Sequence, residues 1–64
     1  MRLNTKANIT NPDDFYQELI DTHRDLTEAQ SLEVNSKLIL LLANHIGDTK
    51  VLSEAMKIAR DKVA

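Results

Sequence analysis

From Asn11 onward, apolar residues recur three and four positions apart, the spacing of amphipathic α-helices. Residues 1–10 (MRLNTKANIT) lack any such period. Leu3 and Ile9 are available to pack, but the segment reads as a mobile N-terminal arm. Asn11 offers an N-cap, Pro12 suits a first helical position, and Asp13 and Asp14 complement the positive end of the helix dipole. Phe15, Tyr16, Leu19, Ile20 and His23 then share one arc, which predicts a first helix over about 12–25. Thr27 and Gln30 fit a capping box, with Leu26 placed to pack back on the first turn. No Gly or Pro follows until Gly47, so the second helix is expected over about 28–46. Gly47 stands where a left-handed terminating residue is wanted, and Asp48 can cap a third helix over about 49–62. Val51, Leu52, Ala55, Met56, Ala59 and Val63 line its apolar arc.

These elements predict an all-α chain: an arm over 1–10 and a single helical domain over 11–64. Connections of a few residues favour an antiparallel three-helix bundle, or a helical hairpin with a third helix attached. The second helix is the unusual one. Leu32, Val34, Leu38, Ile39, Leu41, Leu42, Ala43 and Ile46 cover about 200° of its circumference, roughly twice an ordinary surface stripe. Leu40 lies outside even that arc, among Glu33, Ser36, Lys37 and Asn44. Two explanations compete. The first and third helices flank the second, or a second copy or a partner protein covers part of it.

Composition sharpens that choice. The chain has 64 residues, no Cys, no Trp, one Tyr and one Phe. The missing thiols exclude disulfides, zinc–thiolate sites, iron–sulfur clusters and cysteine nucleophiles. A chain this short builds little core without staples, so a homodimer is a natural expectation. The longest unbroken apolar run, Leu38 to Ala43, is far too short to span a bilayer, and no apolar h-region follows Arg2 and Lys6. A cytoplasmic protein without membrane contact is expected. The net charge of −2 argues against general binding to a phosphate backbone. That charge is unevenly spread: +2 over residues 1–10, −6 over 11–36 and +2 over 37–64.

Few residues offer chemistry. His23 and His45 both fall on apolar faces near helix C-termini, where the dipole favours imidazolium. Each is open to reading as a metal ligand, a base or a pH-sensitive group. An antiparallel hairpin puts the two at opposite ends, which argues against a shared metal, and neither has a carboxylate three or four residues on along its apolar face, so the favoured reading is structural. Asp14, Glu18 and Asp21 form an acidic stripe on the outer face of the first helix, suited to steering a basic partner. Their spacing does not converge oxygens on one point as an ion site requires. Asn35 is a polar residue inside the apolar arc. It either bonds a neighbour or fixes the register of a helix pair.

The second and third helices, joined by Ile46-Gly47-Asp48, also admit a helix-turn-helix reading as a DNA-binding regulator. Against it, Lys50, Glu54, Lys57 and Asp61 interleave on the third helix at salt-bridging spacing. No glycine-rich phosphate loop or nucleophile elbow is present, so no catalytic residue, cofactor or metal is expected and the chain does not read as an enzyme. A role as accessory subunit of an enzyme, lending His23 or His45 to a shared interface, is a weaker alternative.

The segments Asn11-Pro12-Asp13-Asp14-Phe15-Tyr16, Leu19-Ile20, His23-Arg24, Leu26-Thr27 and Leu40-Leu41-Leu42-Ala43-Asn44-His45-Ile46-Gly47-Asp48 resemble a family of short bacterial proteins. The family is that of domain of unknown function two-seven-eight-three, and the resemblance covers about residues 9–60. It implies a stand-alone bacterial protein and brings no activity, ligand or catalytic residue with it. The residues therefore point to a small helical interaction module, acting on itself or on another protein. Leu40 is its most suggestive docking residue, and Leu40→Lys is expected to abolish association while leaving the helices folded.

Overall fold

The computed structural model describes all 64 residues and contains three helices: α1 (Pro12–Thr22), α2 (Glu28–Ile46) and α3 (Thr49–Arg60). There is no strand. No helix is long and apolar enough to cross a membrane. Residues before α1 form no regular element, and among them Leu3 alone is half-buried.

Local signals set most of the boundaries. The Thr27 hydroxyl accepts from the Gln30 N–H at 3.1 Å, and the Gln30 side-chain oxygen accepts from the Thr27 N–H at 2.9 Å. That reciprocal pair satisfies two donors the helix cannot satisfy itself. Gly47 ends α2 at φ +68, its N–H donating to the Ala43 carbonyl at 2.8 Å. The Asp48 carboxylate then accepts from the N–H groups of Lys50 and Val51, at 3.0 and 3.2 Å, and opens α3. One glycine and one aspartate thus turn the chain with no spare residue.

Three expectations about helix ends need correction. Asn11 makes no side-chain cap: its backbone, at ψ 79, is not in the extended conformation from which a cap reaches the first turn. Its carbonyl still accepts from the Phe15 N–H at 3.0 Å. The first helix stops at Thr22 rather than near residue 25. The N–H groups of His23 and Arg24 donate three residues back, to Ile20 and Asp21, and Asp25 enters the left-handed region at φ 61. Aspartate is among the few non-glycine residues that tolerate this conformation. The third helix stops at Arg60 rather than 62, with Lys62 at φ 63 in the turn that follows.

The helices do not close into a bundle. No two of them pack along their lengths, and Val51, 6% exposed, is the only buried residue. The radius of gyration is 13.5 Å, against about 11 Å for a compact chain of this length. The accessible surface is 6181 Å², whereas a folded monomer of this mass exposes about 4,100 Å². Geometry supplies the reason. With 11 residues α1 reaches about 16 Å, and with 19 residues α2 reaches about 28 Å. So short a neighbour covers one side of part of α2, and an arc of about 200° needs more than one neighbour.

Candidate functional site

The side of α2 that meets α1 is set by Val34 and Leu38, both half-buried. Phe15, Leu19 and Thr22 of α1 line a shallow groove with them. One side-chain link ties the two helices together. His23 Nδ1 lies 2.8 Å from the Leu19 carbonyl, and Nε2 lies 2.8 Å from the side-chain oxygen of Asn35 on α2. A neutral ring that donates from Nδ1 has only a lone pair left at Nε2. Meeting an oxygen there requires the doubly protonated ring. Turning the Asn35 amide over presents an N–H instead. Either state closes the same clasp, so His23 and Asn35, assigned separate roles from sequence, act as one unit. His45 stands exposed in the last turn of α2 and takes no part in it. No group of three or more potential metal ligands converges anywhere in the chain.

The acidic residues of α1 divide. Asp14 is exposed. Asp21 is exposed too, but pairs with Arg24 and accepts from the Gln17 side-chain amide at 3.1 Å. Glu18 sits on the rim of the α1–α2 groove, which Lys37 also lines. The stripe therefore reaches the groove instead of lying wholly on the far face. The chain's ion pairs are Arg24–Asp21 and Lys37–Glu33, so the interleaved charges of α3 do not pair with one another as their spacing suggested.

Leu40 is 69% exposed and lines a shallow depression with Lys37, Leu41 and Asn44. It is one of many. On the side of α2 that α1 leaves bare, Leu32, Ile39, Leu42 and Ile46 are 64%, 65%, 53% and 37% exposed. Leu32, Ile39 and Ile46 follow one another at intervals of seven, and Asn35 and Leu42 each stand three residues after a member of that series. This is the a/d spacing of a coiled-coil seam. At 100° per residue the five positions fall within about 80° of one another, and Leu40 lies about 120° from their centre. The heptad was present in the sequence. Periodicity alone does not single it out, because the whole arc is apolar and only the position of α1 divides it.

These features define a class: a small, open, all-α chain whose central helix carries an uncovered apolar seam. The chain belongs to the family described as "Protein of unknown function (DUF2783)", whose model matches residues 3–61. The match takes in most of the N-terminal arm as well as all three helices. No curated protein and no solved structure matches the chain.

Proposed function

We propose that this protein is a small interaction module whose working state has another polypeptide covering the bare face of α2. One observation carries the reading. Leu32, Ile39 and Leu42 keep more than half of their surface exposed along the longest helix, Ile46 extends the row, and no other helix packs along it. Scattered exposed leucines are ordinary on a protein surface, but a contiguous strip at helix-packing spacing is not. The role is binding rather than catalysis: the histidine clasp is spent on holding α1 to α2, and the carboxylates do not gather. Acidic residues 11–36 give the module a preference for basic surfaces, which raises association rate more than affinity.

The test is site-specific photo-crosslinking in the producing cell. A photoreactive phenylalanine analogue replaces Ile39 in one strain and Asn44, on the polar side, in another. A discrete crosslinked product from position 39 that is absent from position 44 is expected. No product at 39, or the same products from both positions, overturns the proposal.

A further inference from the structure

We infer that the occupant of the α2 seam is a second copy of this chain, laid antiparallel, with Ile39 at the two-fold axis. The inference deepens the interaction-module reading and rests on it.

Area is the first argument. The chain exposes about 2,000 Å² more than a folded monomer of its mass. An arm of ten fully extended residues accounts for at most about 1,000 Å² of that excess. About 1,000 Å² per chain therefore remains on the three helices together, the seam being one part of it, and a pair that covered all of it would bury about 2,000 Å². That reaches the range of obligate homodimers, whose interfaces resemble a core cut in half.

Self-complementarity is the second. A two-fold interface must present the same patch from both sides. The seam is symmetric about its middle: Leu32 and Ile46 each stand seven residues from Ile39. Antiparallel pairing about Ile39 sets Leu32 of each copy against Ile46 of the other and Ile39 against Ile39, while Leu42 comes opposite the partner's Ser36 and Asn35 opposite the partner's Ala43. The polar groups in the way are already satisfied. The Ser36 hydroxyl donates to the Leu32 carbonyl at 2.9 Å, and Asn35 is engaged by His23. Both can be covered without stranding their partners.

Charge selects the direction. A parallel pair brings two segments of −6 side by side. An antiparallel pair sends the acidic end of each chain, with α1, toward the partner's C-terminal half, whose residues 37–64 sum to +2 because Asp48, Glu54 and Asp61 offset three of its five bases. Like charges repel most in the first arrangement, and the second also opposes the two α2 dipoles.

Sedimentation of the purified full chain gives the mass, and engineered disulfides give the direction. The expected mass is twice 7.2 kDa at low micromolar concentration. Ile39→Ala should weaken the dimer at least about 30-fold, since each copy loses most of one buried side chain. Leu40→Lys, about 120° from the seam's centre, should leave the dimer intact, the reverse of the sequence-based expectation for this variant. Native cysteine is absent, so single substitutions read cleanly. Mixed and oxidised, Leu32→Cys and Ile46→Cys chains should join to each other. Leu32→Cys chains should not join among themselves, because two such positions would lie about 21 Å apart along the axis, beyond disulfide reach. A folded monomer at about 100 μM, an order above the expected dimer range, overturns the second copy. The docking reading then stands or falls on the crosslink at position 39. Disulfides formed within the Leu32→Cys population overturn the antiparallel arrangement even if the mass is that of a dimer.

Discussion

The His23–Asn35 clasp is the one side-chain hydrogen bond between the end of α1 and α2, so its removal tests whether α1 is held where the structure puts it. The perturbations are Asn35→Ala, His23→Ala and the double variant. Asn35→Ala loses a single partly exposed bond, worth about 0.5–1.5 kcal/mol net. His23→Ala loses that bond, the Nδ1 bond to Leu19 and the packing of a half-buried ring, or about 2 kcal/mol in all. If the two residues act as one unit, the double variant is no worse than His23→Ala alone. The coupling energy is then about 0.5–1.5 kcal/mol. In a domain of this size each kcal/mol moves the melting temperature by about 4–8 °C. Thermal melts by far-ultraviolet circular dichroism read this easily, provided all four proteins are compared at one concentration, because association itself stabilises. Additive losses, with coupling below about 0.3 kcal/mol, would falsify the clasp and leave α1 free to swing across the seam.

Two further outcomes are expected. The left-handed positions should respond to backbone chemistry alone. A Cβ at Gly47 meets only the Asn44 carbonyl, at 3.7 Å, so L-alanine there should cost about 1 kcal/mol through φ while D-alanine in a synthetic chain stabilises by about 0.4–1 kcal/mol. Equal melting temperatures for the two alanines would reject that account. At Asp25, valine should cost about 1–2 kcal/mol and glycine should lie within about 0.5 kcal/mol of the parent, by the same melts. Fluorescence anisotropy with labelled duplex DNA at about 50 mM salt should show no binding, because the acidic chain lacks a basic footprint. Salt-dependent binding that disappears with Lys57→Glu would install the helix-turn-helix alternative instead.

The helices were legible from sequence because their causes are local. A capping box needs four consecutive residues, Thr27 to Gln30, and the Gly47–Asp48 turn needs two. Both act through backbone geometry that no distant residue has to supply. The helix ends that differ from the sequence expectation have causes of the same kind but a weaker signature. Asp25 and Lys62 take left-handed conformations without being glycine, and nothing in their letters marks them out from neighbouring charged residues. Asn11 has the right letter for a cap and the wrong backbone.

The candidate site divides between the two sources of information. The order of residues already makes α2 apolar over more surface than one short helix can cover and repeats its seam every seven residues. Both follow from residue order and a fixed helical pitch. Which part of the arc belongs to α1 follows from how the helices pack, not from residue order. Val34 and Leu38 turn inward, His23 finds Asn35 across twelve residues of sequence, and Leu32, Ile39, Leu42 and Ile46 are left bare. Periodicity fixes where residues lie around a helix, whereas burial depends on where the next helix goes, and here that was set by a short α1 and one clasp.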